Sequence, residues 1–250
     1  MMLPTLNPHF IPSFLMFCLF TLISCTEEYD ECFYLTDEMV TRVYPLNDFD
    51  QIETFVKGSY TLKQGKHHQI KITGHPRYLD SLNTQVYHKT LIISNRFPYC
   101  DNKAQLNVEI TLPRVKQLFI DAKSRISIDD FNDQDDLYVN LSKKSFLEIN
   151  RFQGMHNFFI QLRENALIKT NTPSNEIDSL KVLIEGDGRF NGFNIPAKNV
   201  DVSILGKGYC EVNAIEKLHV VIKGDANVVS KGMPSLYKRI TGRGDVYFKD

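Results

Sequence analysis

From Val115 to the C-terminus, short runs of alternating apolar and polar residues recur along the chain. In Leu180-Lys181-Val182-Leu183-Ile184, Val200-Asp201-Val202-Ser203-Ile204 and Leu218-His219-Val220-Val221-Ile222 the inward positions are apolar at a period of two, as in a strand with one buried face. The last inward residue of each run serves as an anchor: Ile120, Leu141, Leu162, Ile184, Ile204, Ile222 and Ile240, separated by 21, 21, 22, 20, 18 and 18 residues. A strand that returns at this spacing predicts a solenoid whose windings bury one another's apolar side. Four residues past each anchor stands Ser124, Ser145, Ala166, Gly188, Gly208, Ala226 or Gly244, and two past it the later windings carry Gly186, Gly206, Gly224 and Gly242. Small residues at both offsets predict tight corners, where successive backbones lie about 4.8 Å apart and glycine permits positive φ. A second strand follows each corner, with Ile126 and Ile128, Leu147 and Ile149, Ile168, Val212, Val228, or Val246 with Phe248 turned inward. The expected fold is therefore all-β, a parallel β-helix of about seven regular coils.

Two details modify that picture. Lys143 and Glu164 occupy the first small position in their coils, so those corners are expected to be wider or bulged. At offset three stand Lys123, Lys144, Asn165, Asp187, Lys207, Asp225 and Arg243, which stacking would align along one outer edge. Its last four members alternate in sign, so the ladder reads either as a charged binding edge or as pairing between neighbouring coils.

Ahead of the repeats the pattern is less regular. Phe49 to Ile52, Gly58 to Leu62, Gln69 to Gly74 and Leu91 to Ser94 still read as short strands, and Pro113 is expected at a corner between coils. No linker divides this half from the repeats.

Composition sets the broad class. The chain has 250 residues, 42% apolar and 24% charged, with a formal charge of −1. That is a folded chain without the basic character of a nucleic-acid binder. The apolar run from Phe14 to Ser24 is too short to span a bilayer but suits the core of a secretory signal, with only the amino terminus and His9 as positive charge before it. It ends in Leu22-Ile23-Ser24-Cys25, which resembles the lipobox of bacterial lipoproteins and implies lipidation at Cys25. Residues 1–24 then form the signal, 25–48 a lipidated spacer and 49–250 the β-helix. The acidic stretch Thr26 to Glu31 resembles the export signals of surface lipoproteins in the Bacteroidetes group. Cys32 and Cys100 could bridge in an oxidising compartment, and Cys210, just after a corner, is expected to fill the core.

The segments Phe49-Asp50-Gln51-Ile52, Leu62-Lys63-Gln64-Gly65, Ile70 to Gly74 and Leu112 to Val115, with the corners Gly186/Gly188, Gly206/Gly208 and Gly242/Gly244, make residues 49–248 resemble the auto-transporter adhesin head family, also called the GIN domain. The resemblance implies a right-handed, single-stranded β-helix displayed outside the cell, and brings no catalytic residue with it.

Motif chemistry is sparse. Asp129, Asp130, Asp133, Asp135 and Asp136 crowd one loop without the ordered Asp-x-Asp-x-Asp-Gly of a calcium site. His67 and His68 are adjacent, so on a strand they would point to opposite faces, and no metal site is expected. Neither a nucleophile elbow nor a phosphate-cradling loop occurs, and no cofactor is implied. Outward residues such as Lys181, Asp201, Ser203 and His219 should line up, but they are mixed in type. Phe146, Phe152, Phe158, Phe159, Phe190 and Phe193 exceed what alternate burial requires, so they either fill wider coils or form an exposed patch.

The reading that results is a non-catalytic surface or outer-membrane lipoprotein, held to the membrane by its anchor, that binds glycan or protein along a β-helix face. Two alternatives remain open. One is an envelope scaffold that binds another envelope protein, and the other is a polysaccharide-acting enzyme of the β-helix kind.

Overall fold

The computed structural model describes residues 38–96 and 106–249, so the apolar leader, Cys25, Cys32 and Cys100 lie outside the described residues. The first half comprises β1 (Val40–Tyr44), β2 (Gln51–Thr54), β3 (Ser59–Gln64), β4 (Gln69–Gly74), helix α1 (Pro76–Ser81), β5 (Leu82–Tyr87), β6 (Thr90–Asn95) and β7 (Asn107–Leu112). The repeats supply β8 (Gln117–Ile120), β9 (Arg125–Ile128), β10 (Leu137–Leu141), β11 (Phe146–Ile149), β12 (Asn157–Glu164) and β13 (Leu167–Thr170). They continue with β14 (Ile177–Gly186), β15 (Arg189–Gly206), β16 (Tyr209–Gly224), β17 (Asn227–Lys231), β18 (Ser235–Thr241) and β19 (Asp245–Lys249).

Two parallel ladders run the length of the repeats and make a nearly closed β-solenoid of about six turns. The first ladder joins β8, β10, β12, β14, the ends of β15 and β16, and β18. The second joins β9, β11, β13, the starts of β15 and β16, β17 and β19. All seven anchors are mutual register partners, from Ile120 facing Leu141 through to Ile222 facing Ile240. Between them, Val139, Ile160, Val182, Val202 and Val220 form a second inward column. Each such aliphatic side chain contributes about 1.5–3 kcal/mol by leaving water, and only through its neighbours above and below.

The early corners are not bulged. Leu141 pairs with Leu162 and Phe146 with Leu167, so the residue count through the corner is unchanged. Lys143 and Glu164 instead adopt φ of +52° and +56°, inside the left-handed region that an L-residue can reach at modest cost. Register shifts fall elsewhere, between Asn191 and Pro196 and between Ala197 and Asn199, on the side where β15 bends from the second ladder to the first.

The amino-terminal coils are stacked out of sequence order. β2 lies between β6 and β8, and β3 between β7 and β9. The coil of β6 and β7 therefore sits outside that of β2 and β3, and the chain passes Pro113 to reach β8. Pro113 is held there by Gln64, whose Nε2 donates to its carbonyl at 3.0 Å. The anchor column continues through buried Thr54 to Ile93. Thr54 tolerates that position because its hydroxyl meets the Tyr60 hydroxyl at 2.7 Å, and Tyr60 donates to the Val56 carbonyl at 2.6 Å. Beyond this outermost coil the direction reverses: β4 runs antiparallel to β7, β1 to β4 and β5 to β6. Together with α1, which buries Tyr78 and Leu79, they cover the end of the core. At the opposite end the Val220 column is continued by Lys238, whose ammonium pairs with Asp245 at 2.7 Å. A charge at the inward register position of a terminal strand discourages further stacking. Phe248, expected inside, is 51% exposed on β19, because among the described residues no further coil stacks on it.

Candidate functional site

In-register parallel stacking brings equivalent outward side chains of successive coils about 4.8 Å apart, so any two like residues at one offset become neighbours. Three residues before their anchors, Tyr138 on β10 and Phe159 on β12 stack face to face, with ring centroids 4.6 Å apart and planes at 4°. Phe119, one before its anchor on β8, meets Phe55 at 5.8 Å. Beside these rings the next column is amide-rich. Asn140 Nδ2 donates to Gln161 Oε1 at 3.0 Å, and Gln161 Nε2 donates to Glu185 Oε2 at 3.1 Å. The rings of Phe119, Tyr138 and Phe159 and the amides of Asn140 and Gln161 border a shallow depression of about 340 Å³, which Gln117 and Lys181 also line.

Tyr138 is 50% exposed and its register partner on β8 is Gln117, so the ring face turned away from Phe159 overlooks a smaller polar side chain. Apolar rings beside fixed amides suit a ligand that carries both C–H faces and hydroxyls. No carboxylate lines this depression, so the acid pair that glycoside hydrolysis requires is not assembled in it.

The phenylalanines divide by face. Phe152, Phe158 and Phe190 are core, whereas Phe146, Phe159 and Phe193 remain half-buried. Phe146 lies under the Arg125 guanidinium at 5.0 Å and Phe193 under the Lys231 ammonium at 4.8 Å. Sequence reasoning missed Tyr138, Phe119 and Phe55. The signal was present in part, since Tyr138 and Phe159 both stand three before an anchor.

Four of the five loop aspartates spend their carboxylates on protein donors. Arg114 binds Asp133 and, at 2.9 Å, Asp135; Arg151 binds Asp130 at 2.6 Å; Asp136 accepts from the Asn157 backbone and side chain at 3.0 Å. His68 precedes β4 and reaches the Phe49 carbonyl at 2.8 Å and Asp48 at 2.9 Å. Among the described residues no group of three or more His, Cys, Asp or Glu could hold a metal ion. Cys210 is fully buried, and burial pushes its thiol pKa well up, which keeps it protonated and unreactive.

The offset-three residues do form one outer edge. At its late end Arg243 grips Asp225 at 2.6 Å, and that hydrogen bond holds the Asp225 carboxyl below its ordinary range. Asn165, Asp187 and Lys207 are exposed along the same edge. At its early end Lys123 and Lys144, with Lys57 at the same offset, border a depression of about 490 Å³. The glycines at offset two have φ between +106° and +137°, and a Cβ on Gly206 would lie 2.6 Å from the Gly186 carbonyl oxygen. At offset four a Cβ on Gly208 would meet the Ile184 side chain at 2.7 Å, which is why only small residues stand there.

The described residues thus form a stacked-coil β-solenoid with an aromatic-lined depression on its outer face. The chain belongs to the family described as "Putative auto-transporter adhesin, head GIN domain", whose pattern it matches over residues 48–234. Solved structures of the same fold include a putative adhesin from Bacteroides fragilis NCTC 9343, with a TM-score of 0.73 at 17% identity over 86% of this chain and 97% of that one. A second, from Parabacteroides merdae ATCC 43184, gives 0.70 at 15% identity over 86% and 98%. A putative lipid binding protein from Parabacteroides distasonis ATCC 8503 gives 0.61 at 17% identity over 86% and 98%. No curated protein matches this chain. Membership points to the cell surface or envelope as the place of work.

Proposed function

We propose that this protein is a lipid-anchored surface adhesin that holds a glycan against the outer face of its first ladder. One observation carries the reading: Tyr138, Phe159, Phe119 and the Asn140–Gln161 amide pair converge on one depression from three successive coils. A saccharide would lay its apolar C–H face on the Tyr138 ring and direct hydroxyls to the amides, giving orientation without a covalent step. The anchor rests on Leu22-Ile23-Ser24-Cys25, and multiple acyl chains at Cys25 would hold the rod on a membrane surface without a spanning helix.

The test is a glycan array followed by titration of the retained saccharide. Tyr138→Ala should weaken binding by about tenfold or more, the scale of one lost aromatic contact, whereas Tyr138→Phe should retain most of it. Equal binding by parent and Tyr138→Ala would sink this reading. Capture of one envelope protein with no saccharide retained would favour the scaffold alternative.

A further inference from the structure

The early end of the corner edge has no established role, and its electrostatics differ from the rest of the molecule. Lys57, Lys123 and Lys144 occupy the same offset in three stacked coils, because β2 pairs with β8 and β8 with β10. Their backbones therefore rise in steps of about 4.8 Å along one line. Arg125 adds a fourth cation two residues past Lys123, and its nearest carboxylate, Glu148, stands 3.9 Å away and is shared with Lys169. Lys143, which neighbours Lys144, already engages Asp121 at 2.9 Å. Lys123 and Lys144 themselves pair with no carboxylate among the described residues.

Nothing in the corner geometry demands lysine there, since Asn165 and Asp187 occupy the same offset one and two coils beyond Lys144. These cations surround a depression of about 490 Å³ rather than a flat patch. Ser59, Asn107, Ser124 and Phe146 also line it, the Ser124 hydroxyl donating to the Val56 carbonyl at 3.3 Å. A lysine ladder that the corner does not require and that frames a polar hollow is a feature that a ligand explains. A concave hollow does not fit a planar membrane. Duplex nucleic acid needs a broad basic surface, which a chain of net charge −1 with its cations gathered at one corner does not offer.

We propose that this corner binds the sulfate or carboxylate groups of an acidic saccharide chain, with Lys123 and Lys144 each engaging one anionic group and Arg125 assisting. The site is separate from the aromatic groove and stands whether or not that groove binds sugar. The probe is a heparin-derived hexasaccharide titrated into the purified protein at low and physiological salt. We expect saturable binding that weakens with salt, and about a tenfold loss in the Lys123→Gln/Lys144→Gln double variant. The charge-matched Lys207→Gln/Lys223→Gln variant should bind as the parent does. The side chains are exposed, so circular dichroism and melting should match the parent for every variant.

Parent-like affinity in the Lys123→Gln/Lys144→Gln protein would overturn the proposal, as would equal binding of the fully desulfated hexasaccharide. Competition by inorganic sulfate as effective as the hexasaccharide's would reduce the site to an isolated-ion pocket and reject a chain ligand. Equal, lysine-dependent retention on phosphatidylserine vesicles would reassign it to a lipid headgroup.

Discussion

The corner edge is built twice, in two ways. In the early coils it turns on Lys143, Lys144 and Glu164 at φ of +52°, +61° and +56°, and it carries lysines one above another. In the late coils it turns on glycines at φ beyond +100°, and Asp187, Lys207, Asp225 and Arg243 alternate in sign. Both preserve register, so the difference is neither a defect nor a change of fold. A left-handed corner near +55° accepts most side chains at a modest cost, so Lys143 and Glu164 stand where the late coils need glycine. A corner beyond +100° admits only glycine, and at the last of these corners Arg243 pairs with Asp225. The last coils close their edge with the Asp225–Arg243 pair, and the early coils stack Lys123 and Lys144 with no carboxylate partner among the described residues.

The largest way to break that comparison is Gly206→Val. A side chain there would need a φ of +131° and would sit 2.6 Å from a carbonyl oxygen, so the variant should lose more than about 3 kcal/mol in urea unfolding, or fail to fold. A parent-like midpoint would refute the glycine-only corner. The counterpart at the early corner is Glu164→Gly, where relief of left-handed strain and gain of unfolded-chain entropy oppose each other. Its stability should shift by less than about 1 kcal/mol in either direction, and a large loss would mean that the two corner types are not distinct.

The smallest effect concerns pH. Arg243 holds the Asp225 carboxyl below its ordinary value of 3.8 in the folded protein, first by a side-chain hydrogen bond. A folded value lowered relative to the unfolded one means that the contribution is complete above the ordinary value and disappears as pH falls through the folded one. The melting-temperature gap between parent and Asp225→Asn should therefore be small at neutral pH and close below the ordinary carboxylate range. The early edge should give no such gap: Lys123→Gln/Lys144→Gln should melt with the parent across the same range. A gap that widened in acid would contradict the pairing.

Much of the architecture was legible because alternation and repeat spacing are local properties. Anchors, inward columns, corner residues and the core role of Cys210 all follow from side-chain period and residue size. Legibility stopped at Thr54, which stands in the anchor column but reads as polar until Tyr60 satisfies its hydroxyl. It stopped again at α1 and β5, whose short segments carry no period of their own. The aromatic groove was half legible. Phe159 was flagged, but Tyr138 becomes its partner only when the coils are stacked, and Phe55 reaches Phe119 from 64 positions earlier in the chain.

By itself, then, the sequence determined that these residues form strands, which side of each faces inward and where each winding turns, because those choices depend on neighbours within a few residues. Tertiary structure alone decided that the β6–β7 coil stacks outside β2 and β3, and that antiparallel strands and a helix close that end. It also brought rings and cations from separate windings onto shared surfaces. Those outcomes depend on which exposed edge and apolar floor must be removed from water, a long-range requirement that no local pattern encodes.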